Sequence, residues 1–237
     1  MESLHYTALE RLNVTRPVDR LDFIAQAVAG KTVLDLGALD ETAFQLKRGT
    51  DRWLHARLCS KAKQVLGIDN SSLVPAGGLE TAANGRIINA NIFDLRPVVE
   101  QNGAPDIVVA GELIEHLPNT SAFLASLKNV PALSGKTLII STPNACSWHN
   151  GIIGLLSRES THQDHLQIYS YKTLRTLFER AQLPLEALVP YHVRFDEMIE
   201  NSSGFKKIAT ESFMRTTHLL ESLSPLLSAG WIGIARI

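Results

Sequence analysis

Two short apolar runs, KTVLDLG at 31–37 and QVLGID at 64–69, constrain this chain more than anything else in it. Each is a continuous apolar run of the kind that buried parallel strands show. A loop and a helix-like segment lie between them, so the unit reads strand–loop–helix–strand, half of a nucleotide-binding α/β fold. Gly37, directly after the first run, lets the backbone approach a ligand. Asp69, ending the second, is placed to accept bonds from two ribose hydroxyls.

The bulk properties narrow the class. The 237 residues fit one domain with enough chain to bury a core. A formal net charge of −1 argues against a broad field for DNA, RNA or an anionic membrane. Cys59 and Cys146 have neither CxxC spacing nor a partner pattern, so a reducing cytoplasm is expected. The N-terminal stretch is too charged for a signal peptide, and no run reaches the length of a membrane span, so no membrane insertion is expected.

In chain order, the 3.6-residue spacing of Leu21, Ile24, Ala25 and Val28 predicts a helix over 17–29. The first strand is at 32–36. The loop over 38–50 is longer than a simple nucleotide-binding turn. A helix is expected over 52–62 with Trp53, Leu54 and Leu58 on one face, and the basic residues around it read as a solvated surface. Residues 71–84 make a poor helix because of Pro75, Gly77 and Gly78. Further strands are expected at 86–91, 106–111, 136–142 and 185–195, with a helix begun by Pro118 and another over 171–182 capped by Ser170. Residues 143–168 read as irregular and 195–228 as a helical excursion. WIGIARI closes the chain as a strand, and an antiparallel one would suit an otherwise parallel sheet. The expected organisation is one domain, with an N-terminal helical cap (1–30), a core (31–192), a helical insertion or lid (195–228) and a final strand (229–237).

The ordered set VLDLG, VLGID, INANIFDL, DIVVAGELIEHL, LIISTPN and HLQIYSYKTLRTLFERAQL resembles the class I S-adenosylmethionine (SAM)-dependent methyltransferases, over about 17–192 and again 229–237. The resemblance implies a Rossmann-like α/β fold: a seven-stranded sheet, mostly parallel with an antiparallel last strand, helices on both faces, and SAM across the strand ends. It places Asp35, Gly37 and Gly111 beside the methionine part of SAM, Asp69 with neighbouring Asn70 at the ribose, and Asn91 and Ile92 at the adenine. The usual loop reads D-x-G-x-G-x-G, whereas Leu39 and Glu41 stand at the second and third glycine positions here. A dehydrogenase would want G-x-G-x-x-G after the first strand, and the chain has none.

The methyl donor carries its own leaving group, so the protein has to align the acceptor and remove its proton. The candidates are Glu115, His116 and His165. If E-L-I-E-H is helical, Glu112, Glu115 and His116 share a face and suit a divalent metal such as Mg or Mn. That motif resembles the ubiquinone-pathway O-methyltransferases, which act on catechol-like rings. It also resembles the 2′-O-methyltransferases of small-RNA 3′ ends, in which a later histidine adds a ligand; His162 or His165 would play that part. Without metal, the same pair can simply buttress its loop. His149 and Trp148 could touch substrate or pack, and His55 and His192 carry no pattern. The reading is SAM-dependent methyl transfer to a small-molecule acceptor, on oxygen, from a sugar, phenolic or secondary metabolite. RNA 2′-O-methylation and a non-catalytic scaffold are the alternatives. The excursion, with Phe205, Phe213, Leu219 and Leu223, could be a lid or a homodimer surface.

Overall fold

A computed structural model describes residues 9–39, 44–159 and 161–237. The first strand β1 (Thr32–Leu36) lies parallel between β2 (Gln64–Asp69) and β5 (Ile107–Gly111), with Asp35 opposite Gly67 on one side and Val109 on the other. The sheet extends through β4 (Gly85–Asn89) to β3 (Leu79–Ala82) at one edge, and through β6 (Thr137–Pro143) to β8 (Gly230–Arg236) and β7 (Leu185–Tyr191) at the other. The order is β3-β4-β2-β1-β5-β6-β8-β7. Strands β4, β2, β1, β5 and β6 are mutually parallel, β8 runs antiparallel to both β6 and β7, and β3 is antiparallel to β4.

Both faces of the central strands are covered, which is why their sequences are continuously apolar rather than alternating. Leu34 and Leu36 of β1 enter one core with Leu95, Phe123, Leu127 and Phe178. They meet α4 (Arg96–Asn102), α5 (Thr120–Lys128) and α7 (Tyr171–Arg180) on that face. Val33 points the other way, into a second core with Ile24, Val28 and Leu58 from α1 (Arg20–Ala27) and α3 (Leu54–Cys59). Local chemistry sets the helix starts. Asp19 accepts from the Asp22 backbone N–H at 2.9 Å, Asn119 accepts from Ala122, and Ser170 forms a capping box with Thr173.

The sheet has eight strands where seven are expected. The extra strand, β3, comes from the stretch read as a poor helix; it turns back on β4 as an edge hairpin. Residues 143–168 are not wholly irregular, since α6 (Trp148–Leu155) lies within them. The helix expected over 52–62 is only Leu54–Cys59, and Trp53 sits before it, buried with Leu39 and Phe44, its Nε1 donating to the Ala38 carbonyl at 2.8 Å. A four-residue helix, α2 (Phe44–Lys47), falls within the 38–50 loop. The excursion contains α8 (Asp196–Glu200) and the twenty-residue α9 (Gly204–Leu223). The segment 112–117 is not a helix throughout. Glu112 has a left-handed backbone (φ 49°), and only Ile114–His116 form a 3₁₀ turn. No described helix is long and apolar enough to cross a membrane.

Candidate functional site

The carboxyl ends of β1, β2, β4, β5 and β6 collect most of the expected site residues along one rim of the sheet, where open α/β folds bind ligands. Gly37 turns off β1 with φ +70°, and a Cβ there would stand 2.9 Å from Leu113 Cδ1. Asp69 organises the turn beside it: Leu39 N–H donates to one carboxylate oxygen and Ser71 N–H to the other, each at 2.9 Å. A carboxylate offers about four lone-pair sites, so Asp69 keeps acceptor capacity beyond these two bonds. The Leu39 side chain is fully buried with Trp53 and Phe44, pointing away from the rim, while its backbone serves Asp69. Glu41 lies outside the described residues. Asn70 is exposed, and Ile92 is half-buried against the first core. Asn91 spends its side-chain oxygen on the Phe93 N–H at 2.9 Å, an Asx turn. A Cβ at Gly111 would lie 2.3 Å from Leu54 Cδ2, so the Leu54 side chain would have to move to admit one.

Asp35 is buried and turned to the α3 side, where its carboxylate accepts from His55 Nδ1 at 2.8 Å. The other ring nitrogen of His55 meets Thr81 Oγ1 at 2.9 Å. Burial pulls the His55 pKa down, but the hydrogen bond and charge of Asp35, with help from Cys59, outweigh it and raise it to about 9. The structure thus makes Asp35 a support beneath the glycine turn, held by a histidine that has no sequence signature.

The acidic–histidine segment divides in two. The Glu112 carboxylate accepts from Tyr191 Oη at 3.0 and 3.2 Å, with Arg20 Nη1 at 3.9 Å. Arg20 also donates to Ser141 Oγ at 3.1 Å. Glu115, fully buried, takes the opposite course. Thr142 donates to its Oε2 at 3.0 Å, and its Oε1 is buried without a partner. Burial, then the Glu112 charge, pushes its pKa up to about 9. Glu115, His116 and His165 each offer a ligand atom, and these lie within 4.8 Å of one another. Glu112 is not in that group, because its left-handed backbone breaks the helical face that would align it. The His116 and His165 rings meet edge-on at 4.6 Å, His162 stands 5.5 Å from His165, and His116 Nδ1 donates to the Asp164 carbonyl at 3.2 Å. Burial, then the neighbouring His116 and His162, lowers the His165 pKa.

Comparison with known proteins settles the class. The family described as "Methyltransferase domain" matches residues 9–188. The chain belongs to that family. None of the curated proteins matches its sequence. Among solved structures, this methyltransferase is similar to magnesium protoporphyrin IX methyltransferase from Synechocystis PCC 6803 with bound SAH: 12% identity, TM-score 0.53, covering 91% of this chain and 81% of that one. It is also similar to a SAM-dependent methyltransferase from Archaeoglobus fulgidus, at 14% identity and TM-score 0.52, covering 92% and 91%. The methyltransferase domain of bacterial CtHen1-C gives 18% identity and TM-score 0.54, covering 92% and 97%. Likeness at these identities shows the fold; with the family match, it supports SAM-dependent methyl transfer.

Three residues of the methyltransferase rim escaped the sequence reading. Arg20, Ser141 and Tyr191 surround Glu112 from three distant elements, 121 residues apart for Arg20 and Ser141 and 79 for Tyr191 and Glu112. No local pattern announces such contacts.

Proposed function

We propose that this methyltransferase transfers the SAM methyl group to an oxygen of a small-molecule acceptor, with His165 and His116 as the proton-accepting pair. The observation that carries the reading is the Glu115–His116–His165 group within 4.8 Å, at the carboxyl end of β5 beside the rim where Gly37 and Asp69 lie. When bound, SAM supplies the electrophilic methyl and a neutral thioether leaving group. Asp69, with neighbouring Asn70, orients the ribose, and Asn91 and Ile92 border the adenine. His165, its pKa lowered by burial and its imidazole neighbours, is neutral at physiological pH and so able to take the acceptor's hydroxyl proton. Glu115 holds the loop: its backbone carbonyl accepts from the Leu166 and Gln167 N–H groups at 2.8 and 3.2 Å, tying the histidine loop to the turn that follows β5.

A second reading rests on the same trio. A carboxylate and two imidazoles suit a divalent cation such as Mg or Mn, and this chain would then be a metal-assisted O-methyltransferase. Calorimetry with S-adenosylhomocysteine on wild type and Asp69→Ala tests the cofactor site. Methyl transfer to catechol, phenol, sugar and short RNA acceptors, with and without chelator, then separates the readings. Activity that survives chelation supports the histidine pair, and loss on chelation supports the metal. Salt-sensitive transfer to RNA would replace the small-molecule acceptor. A folded protein that does not bind S-adenosylhomocysteine refutes the proposal.

A further inference from the structure

A second group of imidazoles lies away from the rim histidines, where α9 meets the end of β7. His192, just past β7, and His218 and Glu221, one turn apart on α9, each offer a ligand atom, and these lie within 4.8 Å of one another. Glu221 is fully buried. Its Oε1 accepts from the Val193 and Ala229 backbone N–H groups at 3.2 and 3.1 Å, which fixes the carboxylate and leaves Oε2 turned to His192 Nδ1 at 2.7 Å. His218 donates Nε2–H to the Val193 carbonyl at 2.8 Å. A bond of that kind sets the tautomer of a ligating histidine and leaves the other nitrogen with its lone pair. The two rings stack at 4.3 Å.

A buried ion pair would need one imidazole, and this carboxylate has more. His218 supplies the second imidazole, stacked on the His192 ring that already holds Glu221. Two imidazoles beside one buried carboxylate are nitrogen and oxygen donors of the kind a metal ion takes.

We propose that His192, His218 and Glu221 form a zinc site that fastens α9 to the sheet. The donor set is the nitrogen and oxygen chemistry that Zn²⁺ takes in four-coordinate sites. Ligand atoms around such an ion stand about 3.3 Å apart, so the 2.7 Å His192–Glu221 pair has to open by only about 0.6 Å. The site does not depend on the catalytic reading above.

The test uses the full chain carrying H116A and H165A, which removes the other candidate cation group. After chelation and dialysis, this protein is titrated with Zn²⁺ by calorimetry and with Co²⁺ by visible absorption. One equivalent of zinc, tetrahedral cobalt bands displaced by zinc, and a melting temperature raised by zinc are expected. Adding His218→Ala should weaken zinc binding by at least ~100-fold while the circular dichroism stays that of a folded chain. Absence of zinc binding by the folded protein, or unchanged binding after His218→Ala, overturns the proposal. If that variant does not fold, ¹⁵N spectra of the histidine rings decide without it. Zinc must move the His192 and His218 nitrogens, and shifts confined to other histidines would refute the site.

Discussion

The buried pair beneath the glycine turn makes a sharp prediction about stability and pH. His55 is fully buried, and its pKa stands at about 9 in the folded chain against 6.5 for the free group. A pKa raised on folding stabilises the fold fully below the unfolded value, and that contribution disappears as pH rises through the folded value. The shift corresponds to about 3 kcal/mol, present at pH 6, falling by about 1.4 kcal/mol per pH unit from 6.5 upward and gone above 9. Asp35→Asn removes the charge that raises His55, and burial then holds the imidazole neutral. The variant should therefore lose most stability at pH 6 and little at pH 9.5. His55→Ala, by contrast, leaves the Asp35 carboxylate buried and unpaired, at a cost of about 3–5 kcal/mol. Urea unfolding of wild type and Asp35→Asn from pH 6 to 9.5 reads the difference directly, with other titrations cancelling between them. Curves that run parallel over that range would refute the assignment of the charge to His55.

Other perturbations follow from single contacts. Gly230→Ala would place a Cβ 2.1 Å from the Tyr191 ring and hydroxyl, forcing the ring off Glu112; a loss of about 1–3 kcal/mol is expected in urea unfolding, and an unchanged midpoint would show that the ring is free to move. Tyr191→Phe removes both hydroxyl contacts to Glu112 with the ring retained, and should cost about 1–2 kcal/mol in the same assay. Ser170→Ala breaks the capping box of α7 and should lower stability by about 1 kcal/mol, read as a small drop in melting temperature without loss of S-adenosylhomocysteine binding.

The parallel strands were legible because burial on both faces writes itself as unbroken apolar runs: VLDL, VLGI, IVVA and LIIST became β1, β2, β5 and β6 at close to the expected bounds. Capping was legible for the same local reason at Ser170. What failed was whatever tertiary contact decides. β3 is four residues at a sheet edge, none of them buried, and Pro75, Gly77 and Gly78 just before it outweigh any strand signal. Glu112 leaves the expected helical face through its left-handed backbone, and its carboxylate meets Tyr191 and Arg20 instead. The histidines at 116, 162 and 165 were candidates by motif, and the chain does bring them together. His55 and His192 had no pattern at all, yet both are held by buried carboxylates, from twenty and twenty-nine positions away.

The place of β8 between β6 and β7 has a consequence for how the chain reaches this state. It is the latest of the eight strands in sequence, yet it occupies the interior of the sheet, with a neighbour on each side. Until it is synthesised, β6 presents an open edge, and β7 has only an isolated bridge to Val18. Nascent or truncated chains therefore carry two unsatisfied strand edges beside a core that still lacks Trp231 and Ile232, the kind of surface that recruits other chains. Pairing β8 with β6 links residues up to about a hundred positions apart, and non-local pairing of that kind is slow. The open edges of β6 and β7 are where association with other chains is expected to begin before β8 is in place.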